Sequence, residues 1–311
     1  MRRWLAAIVL ALALPAVGAC GSSNPMGGGS VSGDLKTLIV GSADFPESKI
    51  LGEIYAQVLE TNGFTVVRKF SIGSRETYIP ALRDHSIDLI PDYTGNLLQY
   101  FEPENTITDP DQVELALYRV LPGDLAILVP SKATDSDTVA VTEETARKWN
   151  LKTIGDLAAR SSEVKFGGSS ELLKRAEGLP GLKANYDLDI PLDNFVAIND
   201  GGGPATVRAL MDGTVNVANI FSTSPAIPQN NLVVLEDPKN NFLPGNVVPL
   251  VSSQKMSDEL KTVLDAVSAK LTTDELTELN ISVSGNAGVD PEEAAGNWLR
   301  DNDFDTPIGT R

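Results

Sequence analysis

Residues 72–96 read IGSRETYIPALRDHSIDLIPDYTGN, and this stretch decides the fold. Gly73 and Ser74 predict a turn at its start. The apolar spacing that follows predicts a helix over residues 78–85, and residues 87–90 predict a short buried strand. A turn, a helix and a strand in this order form half of a βαβ unit, so the chain is predicted to be α/β.

A second copy of this pattern lies 128 residues further along the chain. Residues 201–224 read GGGPATVRALMDGTVNVANIFSTS, which places Phe221 at the position of Tyr93. At an offset of 126, VKFGG at residues 164–168 matches LIVGS at residues 38–42. We therefore predict two similar α/β lobes, and the alternative is two ordinary α/β units that are alike by chance.

The repeat also predicts where a ligand binds. Glycine-rich turns at the carboxyl ends of strands expose backbone N–H groups, and ligands of open α/β sheets bind there. Two such lobes that face each other form a cleft, and small-molecule sites favour such interfaces.

Two crossings between the lobes are predicted, and they are natural hinges for lobe closure. The outward crossing is the apolar run 125–129, which precedes the polar tripeptide Asp135-Ser136-Asp137, and the return crossing is residues 231–235. The second lobe is thus inserted in the first. The predicted segments are a signal peptide at 1–19, a flexible tether at 20–34, lobe I at 35–129 and 236–311, and lobe II at 130–235.

The N-terminus has the features of a bacterial lipoprotein signal. Arg2 and Arg3 precede an apolar run at residues 5–14, which is too short to span a bilayer. The tripeptide V-G-A directly precedes Cys20 and resembles a lipobox, which implies cleavage before Cys20 and lipidation of its sulfur. An ordinary secretory signal and an uncleaved anchor are the alternatives. Lipid chains would hold the protein at a membrane surface without crossing it.

Composition restricts the function further. The chain is 42% hydrophobic and 22% charged, as in globular proteins, and its formal net charge of −17 gives no electrostatic footprint for nucleic acid. Its one cysteine excludes an internal disulfide, and its one histidine, His85, is predicted at the surface. The sequence contains no metal-ligand spacing, nucleophile elbow or phosphate-binding loop. It therefore predicts a binding protein with no cofactor or metal, and not an enzyme.

Several longer motifs carry a family resemblance across nearly all of the chain after the tether. They are VGSADFPES, IDLIPDYTGN, KFGGSSELLKRAEGLPGL, ALMDGTVNVANIFST, NLVVLEDPKNNFLP and LTTDELTELN. The chain resembles the substrate-binding proteins of osmoprotectant ABC importers, the glycine betaine, choline and proline betaine group. This resemblance implies a type II periplasmic binding protein fold and a monomer outside the cell membrane that delivers a small-molecule solute to an ABC permease and its ATPase.

The resemblance also implies a cage of aromatic faces around a quaternary ammonium group, which cation–π attraction would hold. Three family tyrosine positions are occupied here by Ile90, Val207 and Phe221, so the cage is depleted. Arg175 matches a family arginine, whereas Arg75 stands where the family usually has a small residue. The first hypothesis is an importer binding protein for an osmoprotectant of the glycine betaine or choline type. The alternative is a divergent member whose solute is a carboxylated, polyhydroxylated or phenolic compound, because the cage is depleted; an anchored enzyme and an adhesion protein stay open as well. The predicted ligand-binding residues are Ala43, Asp44, Phe45, Arg75, Tyr78, Asp92, Tyr93, Thr94, Ser169, Arg175, Gly202, Phe221 and Ser222.

Overall fold

The computed structural model describes residues 34–285 and 288–309. The predicted signal peptide, Cys20 and the tether up to residue 33 lie outside the described residues. No helix in the described part of the chain has the length and apolar character needed to cross a bilayer.

Two mixed sheets contain the strands of the described chain. In chain order the strands are β1 (Thr37–Gly41), β2 (Thr65–Lys69), β3 (Leu89–Tyr93), β4 (Leu125–Ile127), β5 (Thr134–Asp135), β6 (Asp137–Thr142), β7 (Phe166–Gly168), β8 (Phe195–Ala197), β9 (Val217–Phe221), β10 (Leu232–Val234) and β11 (Gly245–Ser252). The first sheet has the order β2-β1-β3-β11-β4, with β5 also paired to β11, and the second has the order β10-β6-β9-β7-β8.

Helices cover both faces of each sheet. They are α1 (Pro46–Thr61), α2 (Arg75–Arg83), α3 (Thr94–Phe101), α4 (Pro110–Val120), α5 (Glu143–Trp149), α6 (Leu179–Tyr186), α7 (Pro204–Met211), α8 (Ala226–Gln229), α9 (Asp258–Lys270), α10 (Thr273–Ser282) and α11 (Pro291–Asp301). Ile54 of α1, Leu264 of α9 and Trp298 of α11 share one core on the first sheet. Leu82 of α2 and Leu97 of α3 belong to the core on its opposite face. We call the first sheet with these helices the first lobe, and the second sheet with α5–α8 the second lobe.

The two lobes repeat one topology. In each, a central strand pairs in parallel with two neighbours, giving β2-β1-β3 in the first lobe and β8-β7-β9 in the second. An antiparallel strand then follows, β11 beside β3 and β6 beside β9. The predicted α/β fold with two similar lobes is therefore confirmed, and the sequence repeat extends to strand order.

The two segments predicted as crossings form short strands in the structure. Residues 125–129 contain β4, which pairs with β11 inside the first sheet, and residues 231–235 contain β10, the edge strand of the second sheet. Short edge strands and connecting segments are both short apolar runs, so the sequence pattern does not separate them. The chain leaves the first sheet between β5 and β6, at Ser136, and returns between β10 and β11. The lobe boundaries at 129–130 and 235–236 stay a prediction.

Candidate functional site

A cavity of about 270 Å³ lies between the lobes. Equivalent residues of the two repeats line the cavity. Tyr93 ends β3 and Phe221 ends β9 at equivalent positions, and both residues line it. The glycines before the two equivalent helices, Gly73 and Gly201, also line it. The cavity therefore lies at the carboxyl ends of strands, where the sequence places a ligand.

Three aromatic rings meet at one side of the cavity. Phe45 lies directly before α1, with its ring centroid 6.3 Å from that of Tyr93 at an interplanar angle of 29°. The Phe45 centroid is 5.2 Å from that of Phe221, at 60°. A hydrogen bond of 2.9 Å from the Ala43 amide to the Ser48 hydroxyl fixes the loop that carries Phe45. Rings from both lobes thus form one aromatic wall.

A glycine turn allows this contact between the lobes. Gly201 has a φ of +62°, and a Cβ atom there would lie 2.8 Å from Cβ of Phe45. The Asp200 carboxylate holds the turn, because its Oδ2 accepts the Ala205 amide at 2.6 Å and its Oδ1 accepts the Thr206 hydroxyl at 2.6 Å. Only glycine combines this conformation with so close an approach.

Arg75 lies in the first-lobe wall, and its charge is already neutralised. Its Nη2 donates to Oδ1 of Asp92 at 2.6 Å and its Nε donates to Oδ2 at 3.3 Å. The Tyr78 hydroxyl donates to the same carboxylate at 2.9 Å. Asp92 is fully buried beneath the cavity, so it binds Arg75 and Tyr78 and does not itself line the cavity.

Arg175 joins the two lobes through a carboxylate. Its Nε and Nη2 donate to the two oxygens of Glu76 on α2, at 3.0 Å and 2.9 Å. Partial burial opposes ionisation of Glu76, but the hydrogen bonds and charge of Arg175 lower the pKa of Glu76 to about 2. The pair is a bidentate ion pair between the lobes, so this arginine is also neutralised by the protein.

Two buried carboxyl groups on the cavity wall have no cationic partner. Asp135 and Asp137 lie at the crossing from the first sheet to the second, and neither forms an ion pair with any residue that the structure describes. Asn96 donates to Oδ2 of Asp137 at 2.7 Å. With both arginines paired, the remaining charge on the wall is acidic, which favours a cationic group in the cavity.

The structure brings most of the predicted ligand-binding residues together and leaves four away from the cavity wall. Asp92 and Tyr93 were expected beyond a strand but are the last two residues of β3, and Thr94 begins α3. Thr94 accepts the Asn246 amide at 3.1 Å, and Ser222 donates to Asp135 at 2.9 Å. Of the predicted residues, those that line the cavity are Ala43, Asp44, Phe45, Arg75, Tyr78, Tyr93, Ser169, Arg175 and Phe221.

A second cavity of about 660 Å³ shares Phe45, Gly201 and Phe221 with the first. Gly202 and Val207 line this second cavity, so one family tyrosine position faces it. Ile90, another such position, lies fully buried in the core of the first lobe. Ile90 therefore does not line the first cavity in this structure.

Sequence reasoning missed several polar residues of the cavity wall. The tripeptide at the lobe crossing was a usable signal, because residues at a hinge also lie at the base of a cleft. Asparagines and serines that are dispersed in the sequence gave no such signal. The missed lining residues are Gly73, Ser74, Thr77, Pro91, Asn96, Asp135, Ser136, Asp137, Glu171, Asn199, Gly201 and Asn219. Within residues 34–285 and 288–309, no group of three or more histidine, cysteine, aspartate or glutamate side chains is arranged to hold a metal ion.

Comparison with known proteins identifies the family. The profile of the substrate-binding domain of the ABC-type glycine betaine transport system matches residues 36–301. The chain belongs to this family. The match spans both lobes, so the family of substrate-binding proteins of osmoprotectant ABC importers, expected from the motifs, is confirmed.

Individual relatives in the glycine betaine substrate-binding family are named for different solutes. The chain is 28% identical to the glycine betaine-binding protein YehZ of Escherichia coli over 272 residues, which cover 84% of this chain and 89% of that protein. It is 26% identical to the ergothioneine transport permease/ergothioneine binding protein EgtU of Helicobacter pylori, covering 80% of this chain and 44% of that protein. A crystal structure of a glycine betaine/carnitine/choline ABC transporter protein matches with a TM-score of 0.65 at 24% identity, covering 86% and 99% of the two chains. That likeness supports the two-lobed periplasmic binding protein fold.

Proposed function

We propose that this protein is an extracytoplasmic binding protein without catalytic activity, which captures a small quaternary ammonium osmoprotectant by lobe closure and delivers it to an ABC permease. The observation that carries the proposal is the cavity wall itself. Phe45, Tyr93 and Phe221 present aromatic rings from both lobes beside Asp135 and Asp137, which form no ion pair with a described residue. Aromatic faces and acidic groups both attract a cation that is too large and too methylated for ordinary hydrogen bonding.

A different solute is the second candidate, and the arginines favour it. Arg75 and Arg175 both line the cavity. A solute carboxylate could exchange with the protein carboxylates that now hold them, because arginine binds carboxylates in bidentate geometry. Such a solute would be carboxylated, polyhydroxylated or phenolic, and the ergothioneine-binding relative supports variation of the solute within this fold.

A thermal-shift screen separates the two candidates. The purified protein is heated with choline, glycine betaine, carnitine, proline, sugars or small phenols, and hits are measured by calorimetry. We expect choline or a betaine to raise the melting temperature, because a ligand at 100 times its Kd stabilises a one-site protein by about 2.7 kcal/mol. Stabilisation by a sugar or phenol, with none from any quaternary amine, would replace the first candidate with the second.

We also propose that lipid attached to Cys20 holds the protein at the outer face of the membrane, where it acts as a monomer. The signal-like N-terminus and the small residues before Cys20 support this. In the Cys20→Ala variant we expect the protein to leave the membrane fraction, because no acyl chain remains to insert into the bilayer. Ser22→Ala is the matched control and should stay with the membrane; equal release of both variants would contradict lipid attachment at Cys20.

A further inference from the structure

A second buried acid lies behind Asp135. Glu47, in the first turn of α1, accepts hydrogen bonds from the Tyr93 hydroxyl at 2.5 Å, the Thr223 hydroxyl at 2.6 Å and Nδ2 of Asn280 at 2.5 Å. Thr223 also joins it to Asp135, whose Oδ1 accepts the Thr223 amide at 3.1 Å. Both carboxyl groups are buried, and Thr223 contacts both of them. Asp135 faces the cavity, whereas Glu47 borders the second cavity.

Two adjacent carboxyl groups in a buried site do not both ionise readily. Burial raises the pKa of Asp135 well above its ordinary value, and the charge of Glu47 raises it further. Burial also raises the pKa of Glu47, although its hydrogen bonds with Thr223, Tyr93 and Asn280 and its interaction with Asp135 oppose this shift. One proton shared by the two carboxyl groups accounts for the raised pKa of Asp135 and the raised pKa of Glu47.

Among the described residues, the other groups around the pair do not supply a compensating positive charge. Tyr93 on β3 faces Glu47 as a neutral donor, because burial and then the charge of Glu47 raise the pKa of the Tyr93 hydroxyl. Asp137 on β6 adds negative charge near Asp135. The partners from α10 and from the segment after β9, which are Asn280, Ser222 and Thr223, are neutral donors. On the same helix as Glu47, Lys49 pairs with the exposed Asp44.

We propose that Asp135 recognises the cationic group of the solute and that solute binding displaces the proton that Asp135 shares with Glu47. This inference rests on the proposed function, because it requires a cationic group in the cavity between the lobes. A cation beside Asp135 supplies the positive charge that the proton otherwise supplies, so the proton leaves to solvent as the solute enters. Asp135 thereby distinguishes a methylated ammonium group from a neutral group of the same shape.

Titration calorimetry of the purified protein tests the coupling. Choline is the probe, and the control ligand is its neutral analogue, in which a tert-butyl group replaces the trimethylammonium group. Choline affinity should rise with pH between about pH 5 and 8, by at most about tenfold per pH unit for one released proton. The measured heat should differ between phosphate and Tris buffers. The difference should equal the released fraction of a proton multiplied by the difference between the ionisation enthalpies of the two buffers. The neutral analogue should show neither effect.

Two variants test how each carboxyl group contributes to the pH dependence of choline binding, and a third variant is the control. Asp135→Asn should weaken choline binding and make it independent of pH. Glu47→Gln should bind choline at pH 5 more tightly than the unchanged protein, because Asp135 then ionises without a charged neighbour. Its amide oxygen can accept from Thr223 and Asn280 while its NH₂ group donates to the Tyr93 hydroxyl. Asp193→Asn, at an exposed position, should keep the original pH profile.

An infrared measurement follows the proton without relying on a variant. The solute-free protein at pH 7 should show the carbonyl stretch of a protonated carboxyl group, and saturating choline should remove it. Choline binding with a pH-independent Kd, or with a persistent carboxyl band, overturns the coupling but leaves the proposed function standing. If neither choline nor glycine betaine binds at any pH, the proposed function fails, and this inference fails with it.

Discussion

Replacement of Asp92 with alanine is expected to lower the free energy of unfolding by about 3–5 kcal/mol, as for other buried ion pairs that lose one partner. The Asp92 side chain is 0% exposed and that of Arg75 is 8% exposed, so a buried guanidinium loses its partner charge. Tyr78 and the Tyr93 amide also lose an acceptor. Urea unfolding with linear extrapolation measures the loss.

Asp124→Ala is the matched control for this prediction. Asp124 also accepts from an arginine, Arg83 Nε at 2.8 Å, but the two side chains are 37% and 52% exposed. Exposed pairs contribute about 1 kcal/mol or less, so Asp124→Ala should change stability little. The double variant Arg75→Met, Asp92→Leu should recover much of the lost stability, since apolar replacement of a buried pair removes the unpaired charge. Equal losses in Asp92→Ala and Asp124→Ala would contradict this account of the cluster.

Sequence pattern predicted the lobes well because their signals are local. The helix predicted over residues 78–85 overlaps α2, which begins and ends slightly earlier, at Arg75 and Arg83. The run at residues 38–42 overlaps β1, and β9 occupies the position that the repeat assigns to it. Strand ends were less accurate. All five residues of β3 are buried, so the strand shows no alternation to mark where it stops. Asp92 was therefore expected beyond the strand, whereas it lies beneath the cavity floor.

The site was harder to predict because its chemistry depends on contacts between distant residues. An acid in the first turn of a helix, such as Glu47, usually indicates favourable interaction with the helix dipole. Its burial against Thr223 and Asn280 depends on the packing of the second lobe and α10, which sequence spacing does not report. Arg75 and Arg175 were expected to face a solute as free cations, and only the fold reveals Asp92 and Glu76 as their partners. The predicted ligand-binding residues stay a prediction until a solute is bound.

Replacement of Phe45 or Phe221 with leucine is expected to weaken choline binding by about 2- to 30-fold, because a cation–π contact contributes about 0.5–2 kcal/mol. Leucine keeps an apolar side chain of similar size and removes the aromatic face. Phe45 is expected to show the larger effect, since its ring packs against both Tyr93 and Phe221. Calorimetry of each variant with choline and with its neutral tert-butyl analogue gives the two affinities whose ratio reports the attraction of the ring for charge.

The ratio separates cation recognition from simple packing. A wall that only packs against the solute would lose affinity for choline and for the neutral analogue equally, so the ratio would stay constant. A cation-recognising wall loses choline affinity selectively. Phe195→Leu is the control in the second sheet, because the Phe195 ring stacks on Phe166 at 6.1 Å and does not line the cavity. If Phe45→Leu and Phe221→Leu leave the ratio as it is in the Phe195→Leu protein, the aromatic wall does not recognise the charge, and the acidic groups at the lobe crossing alone select the cation.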